Sequence, residues 1–188
     1  MEKNKLYVYV DKQPESPVIS DGNLCRFSNL EIITVLVQDL LVHPSTVTES
    51  LFIQYPTKTL RDAREIVPVN MEEAFELVSS TPHPRLWNLL AEGALDTLDL
   101  AKAERAWVRC SNYSGIQFLK RLKQLNDPIK QRAQVAAYFG RFDEAEGVYT
   151  EIDRVDLAVE LRQNLGDWLR VVELIQSTTV DDHSLKQA

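Results

Sequence analysis

From Asp99 onward a helix-start signal recurs, each time followed by about three turns of apolar periodicity and a tight break. The starts fall near Asp99, Asn112, Asp127, Phe142, Asp153 and Asp167, roughly 10 to 16 residues apart. Helices of similar length at that spacing predict an antiparallel stack, and a stack presents surfaces rather than a pocket. The functional question therefore turns first on partners.

The divisions can be argued residue by residue. Asp127 before Pro128 places a side-chain acceptor at the N-cap and a proline at the first helical position, where its missing N–H costs nothing. Gly140 and Gly166 each follow an apolar-periodic run and suit the left-handed residue that ends a helix. Thr59 with Asp62, and Asn70 with Glu73, have capping-box spacing and predict helices over about residues 59–67 and 71–80. Pro82-His83-Pro84 reads as a rigid entry turn into the next helix.

Apolar stripes at intervals of three and four support these divisions. They run Leu86, Leu89, Leu90 and Ala94; Ala103, Ala106, Trp107 and Cys110; then Ile116, Leu119 and Leu122. Further on come Ile129, Ala133, Ala136 and Ala137, and Phe142, Ala145, Val148, Tyr149 and Ile152. Leu157, Ala158, Leu161 and Leu165 precede a last stripe of Trp168, Val171, Val172 and Ile175. Small alanines opposite large rings let helices approach to about 8–10 Å. Leu100, Ala103, Glu104 and Trp107 are echoed by Phe142, Ala145, Glu146 and Tyr149, an outline best described as tetratricopeptide-like.

Ahead of residue 58 the cues belong to strands. Leu6–Val10 and Leu30–Val37 are rich in β-branched and aromatic residues, with turn formers Pro14, Pro17, Asp21, Gly22 and Asn23 between them. Two to four strands are expected, too few to close a barrel or propeller, so they read as the end of a larger β domain. The connection is placed at about residues 43–58. The expected organisation is a β segment with its connection at 1–57, a helical solenoid at 58–178 and a polar tail at 179–188.

Composition narrows the function classes. A net charge of −7 over 188 residues argues against bulk nucleic-acid binding, which draws on cationic contacts to phosphates. No apolar run is long enough to span a membrane. Cys25 and Cys110, far apart in apolar stretches, read as free buried thiols in a reducing compartment. Lys120, Arg121, Lys123, Lys130 and Arg132 cluster around the turn at Asp127. They read either as a docking spot for an acidic partner or anionic headgroups, or, as we prefer, as a solvated ridge facing the acidic helix of Asp143, Glu144, Glu146 and Glu151.

The search for site chemistry finds none. His43, His83 and His183 have no ligand neighbours at metal spacing, and no phosphate-cradling glycine loop exists. Carboxylate pairs such as Asp143/Glu144 and Asp181/Asp182 have no concave, desolvated setting to shift their pKa. Trp87, Trp107 and Trp168 read as core fillers rather than base-stacking platforms. No catalytic residue, metal, cofactor or small-molecule substrate is expected.

The run Pro82-His83-Pro84-Arg85-Leu86-Trp87, with Leu90-Ala91-Glu92, Leu98-Asp99-Leu100 and Ala103-Glu104, resembles the helical region that follows the WD-repeat propellers in subunits of intraflagellar transport complex A. The likeness continues through Tyr113-Ser114-Gly115-Ile116, Ala137 to Phe142 with Ala145, and Leu165-Gly166-Asp167-Trp168. Its signature positions here are Pro82, Pro84, Trp87, Ala91, Ala103, Trp107, Gly115, Gly140, Phe142, Ala145, Gly166 and Trp168. The resemblance implies a larger scaffold with paired propellers ahead and a longer solenoid behind, this chain straddling the junction. It also implies a non-enzymatic role in retrograde ciliary transport and entry of membrane cargo. The implied partners are other subunits of the complex, with ciliary cargo or adaptors beside them. The implied location is the cytoplasm and the cilium, at the axoneme and ciliary base. Alternatives are a vesicle-coat subunit and a stand-alone adaptor with a peptide-binding groove.

Overall fold

A computed structural model of the chain describes residues 4–10, 12–20, 22–42, 44 and 48–185; His43, Ser45 and Thr46 of the expected connection, with Asp21, lie outside them. The chain divides into two compact units, one of residues 1–93 with 105–112 and one of residues 94–104 with 113–188.

In the first unit β1 (Asn4–Leu6), β2 (Tyr9–Val10), β3 (Gln13–Pro14), β4 (Val18–Ser20), β5 (Asn23–Ser28), β6 (Glu31–Val35) and β7 (Phe52–Pro56) are short strands. Against the expected two to four strands there are thus seven among the described residues. β1 pairs with β4 and β2 with β3, while β5, β6 and β7 form one antiparallel sheet in that order. The single strand expected at Leu6–Val10 is split between β1 and β2. The strand expected at Leu30–Val37 is trimmed at its start because Asn29 and Leu30 both take positive φ, 54° and 62°, the two-residue turn that matches strand twist. It is trimmed at its end by a helix, α1 (Val37–Val42). β7 falls inside the segment expected to be connection. Cys25 is exposed and Cys110 half-buried, both as free thiols, so neither is the buried thiol expected. The reason for Cys25 is local: β5 is an edge strand, and its register with β6 shifts between Leu24 and Arg26.

The helices follow. α2 (Lys58–Ile66) is capped by Thr57, whose Oγ1 accepts from the Leu60 N–H, and not by Thr59 as expected. Thr57 is the last extended residue after Pro56, while the Thr59 hydroxyl donates to Glu15 Oε1 at 3.2 Å. α3 (Met71–Ser80) is capped as expected by Asn70, whose Oδ1 accepts from the N–H groups of Glu72 and Glu73. Then come α4 (Pro84–Asp96), α5 (Leu100–Arg109), α6 (Tyr113–Gln124), α7 (Pro128–Tyr138), α8 (Phe142–Glu151), α9 (Val155–Leu165) and α10 (Trp168–Leu185). The last of these runs on through the segment read as a polar tail.

Five of these helices end in the same way. Leu98, Ser111, Gly140, Asp153 and Gly166 all have φ between 55° and 76°, and the next helix starts two residues later each time. At each, the following N–H reaches back five positions: Asp99 to Ala94, Asn112 to Trp107, Arg141 to Ala136, Arg154 to Tyr149 and Asp167 to Arg162. This repeated turn is the physical form of the sequence beat. The turn between α6 and α7 differs, with Asp127 Oδ1 accepting from the Ile129 N–H ahead of Pro128.

In the second unit the core gathers Ala133, Tyr149, Ala158 and Leu174, with Val148, Ile152, Leu157 and Leu161 packed against it. In the first unit Trp87 and Trp107 are buried, Phe75 meets Trp87 edge to face at 5.3 Å, and Arg105 and Arg109 lie over those two rings. Not every expected stripe is covered. Ile129, Leu165, Trp168, Val172 and Ile175 are exposed, Trp168 at 64%. Among residues 168–176 of α10, Val171 and Leu174 are buried, because the apolar arc there is wider than the face its neighbours cover.

Candidate binding surface

The signature positions are mostly structural. Trp87, Ala91, Ala103, Trp107 and Ala145 are buried, Gly115 lies buried within α6, and Gly140 and Gly166 occupy left-handed turns. Pro82 and Pro84 are exposed around His83, whose Nδ1 accepts from the Arg85 N–H and whose carbonyl accepts from Leu86 and Trp87, so the expected entry turn is a helix cap. Phe142 opens α8 half-buried. Trp168 is the exception: it is a surface residue, not a core filler.

The basic cluster does not act as one patch. Lys123 pairs with Glu104 at 2.5 Å and Lys130 reaches Asp127 at 3.8 Å, while Lys120 and Arg121 are exposed on α6. Arg132, exposed on α7, lines a cavity.

The acidic helix is not answered by that cluster either. Glu146, buried on α8, accepts from Arg162 Nε of α9 at 2.5 Å and from Arg170 Nη2 of α10 at 2.7 Å. Arg162 also bonds Asp143 at 2.5 Å and lies 3.5 Å from Asp167, while Arg170 bonds Glu173 at 2.7 Å. One buried carboxylate thus ties three successive helices. Burial alone would raise the Glu146 pKa, but hydrogen bonds from Arg170 and Arg162, with their charges, hold it below the ordinary glutamate value. Arg162 and Arg170 are correspondingly held above the usual arginine value, chiefly by their hydrogen bonds to Asp143 and Glu146. Such a network fixes register and offers no proton near neutrality. The spacing of Glu146 gave no hint of it, since both partners lie on later helices.

The second unit also holds a groove. A cavity of about 520 Å³ is floored by Leu98, Ile129, Val148 and Ile152 and flanked by Arg132 and Glu151. A smaller one of about 180 Å³ adjoins it, sharing Leu98 and Arg132 and adding Asp96, Arg141 and Glu144. Arg141 is committed there, to Asp96 at 2.5 Å and to Glu144 at 3.4 Å. In the first unit Tyr7, Tyr9, Leu24, Phe27 and Ile32 line a separate apolar cavity of about 240 Å³ beside the strands. Among the described residues no cluster of His, Cys, Asp and Glu could hold a metal, and no helix is long and apolar enough to cross a membrane.

Short paired strands followed by helices joined through one repeated turn define the class: the end of a β-propeller leading into a tetratricopeptide-type helical domain. Residues 1–56 match the family described as the WDR35 second beta-propeller, and residues 86–184 match the IFT80/172/WDR35/WDR19 TPR domain. The chain belongs to this family of WD-repeat and intraflagellar transport proteins. It is similar over its whole length to WD repeat-containing protein 35, being 45% identical to that of Homo sapiens and 44% to that of Rattus norvegicus over 191 residues. It spans 16% of the length of each of those relatives. It is also 27% identical over 103 residues to the intraflagellar transport protein 80 homolog of Mus musculus, covering 55% of this chain and 13% of that protein.

Proposed function

We propose that this chain is a non-enzymatic scaffold segment of an intraflagellar transport complex A subunit, working through protein–protein contacts in retrograde ciliary transport and entry of ciliary membrane cargo. Its partners are other subunits of the complex, with cargo or adaptors beside them, and it works in the cytoplasm and cilium, at the axoneme and ciliary base. The observation that carries the reading is the similarity of the whole of this chain to a segment of WD repeat-containing protein 35, which runs across both the propeller-end strands and the helices. The chemistry agrees with it: the one buried carboxylate among the described residues, Glu146, is held ionised by two arginines, as in a structural tie and not a proton-transfer site.

The test is co-purification of the other complex subunits with full-length protein from which residues 58–184 have been removed, together with imaging of ciliary entry. Loss of subunits and a cilium depleted of the complex are expected. Unchanged assembly with unchanged entry would contradict the assignment for this segment.

A further inference from the structure

We propose that the groove formed by Leu98, α7 and α8 receives a segment of a partner protein that lays bulky apolar side chains on its floor. On that segment an acidic residue faces Arg132 and a basic residue faces Glu151. The proposal deepens the scaffold reading and rests on it.

Four observations converge on this groove. Its main cavity, about 520 Å³ with an apolar floor, falls within the roughly 300–1,000 Å³ of sites that bury a ligand. The charges at its edge are uncommitted: Arg132 and Glu151 have no ion-pair or hydrogen-bond partner among the described residues, although Arg141 in the adjoining cavity has two. Two opposite charges flanking an apolar floor select a segment with the complementary polarity, which is how charge sets register in an interface.

The third observation is a glycine. A helix-interior glycine costs roughly 0.5–1 kcal/mol relative to alanine, so it calls for a reason. Gly93 on α4 has one, because a Cβ there would lie 2.2 Å from Val67 Cγ1. Gly147 on α8 has none within the chain: nothing lies within 4 Å of where its Cβ would be. It flanks the face of α8 that presents Glu144, Val148 and Glu151 to the two cavities, and its bare backbone leaves room for a partner to approach closely.

The fourth is Leu98, held at φ 57° in a turn position that Gly140, Gly166, Ser111 and Asp153 fill in the equivalent turns, so that of the five it is the large apolar one. Left-handed backbone costs a non-glycine residue roughly 1–2 kcal/mol. What that conformation provides here is an apolar wall shared by both cavities.

The experiment places a photoreactive amino acid at the position of Val148 in the full-length protein, assembles it with the other purified complex subunits, and maps the crosslinked peptide. The expected product is a partner peptide with bulky apolar residues flanked by an acid and a base. Gly147→Trp and the exposed-site variant Arg132→Glu should each cut its yield about tenfold, with the thermal midpoint of the protein unchanged. An intact complex with no crosslink at this position, or with yields indifferent to both variants, overturns the groove and leaves the scaffold reading standing. A crosslink to a second copy of this chain overturns it as well. Failure of the unsubstituted protein to recruit any subunit refutes the scaffold reading itself.

Discussion

The strands of residues 4–56 and the helices from α6 onward obtain their order differently. The strands are held by backbone pairing in three separate small sheets, and much of their apolar surface is open: Tyr7, Tyr9, Ile19, Leu24 and Phe27 are all more than half exposed. From α7 onward the helices of the second unit close each turn by the same local bonds and bury a shared core around Tyr149, with an ion network locking three of them. A helix satisfies its backbone internally, whereas a strand needs neighbours for both backbone and side chains. The difference assigns stability to the helices and dependence on neighbouring structure to the strands.

The largest expected effect comes from exchanging equivalent changes between regions. Leu119→Ala on α6, which empties a 1%-exposed site, should destabilise by about 2–5 kcal/mol in denaturant titration, whereas Phe27→Ser on β5 should stay within about 0.5 kcal/mol. Similar losses at both positions would break the comparison.

Glu146→Ala should cost about 1–3 kcal/mol, since it removes the buried acceptor of Arg162, whose side chain is 10% exposed, and leaves that guanidinium only Asp143 and Asp167. Because the folded-state pKa of Glu146 lies below its unfolded value of about 4.3, its contribution is complete above that pH and is lost as pH falls through the folded-state pKa. Thermal midpoints followed from neutrality into acid should therefore fall less steeply for Glu146→Gln than for the unsubstituted chain. Parallel curves would remove the network from the account.

The smallest effects test the turns. Gly166→Ala, at φ 76°, should destabilise by about 1 kcal/mol, and Ser111→Gly, at φ 56°, should stabilise by a few tenths, both read from thermal midpoints. Equal responses would mean that the two turns are not the same device.

The parts of this structure that were legible in sequence are those whose signals are local. Asn70 and Asp127 cap where their side-chain oxygens sit next to free N–H groups, and Gly140 and Gly166 end helices because glycine tolerates positive φ. Leu98, Ser111 and Asp153 make the same turn without glycine and were invisible to that rule. Thr59 lost the capping role to Thr57 because Pro56 sets where the extended chain stops. Glu146 looked solvated because its arginines lie 16 and 24 residues further on. The groove was hidden for the same reason: Arg132 stood out only as one of five cations, and its setting depends on a turn and a helix far along the chain. Trp168 misled in the opposite sense, since its period is helical but no neighbour covers it.

The central claim is that the helices, and not the strands, carry the working surface. Hydrogen exchange of the full-length protein, alone and assembled with the other complex subunits, tests it most directly. The account predicts new protection in peptides covering residues 94–104 and 128–152, with little change over residues 4–35. Protection gained only in the strands, with the helical peptides unchanged, would contradict it.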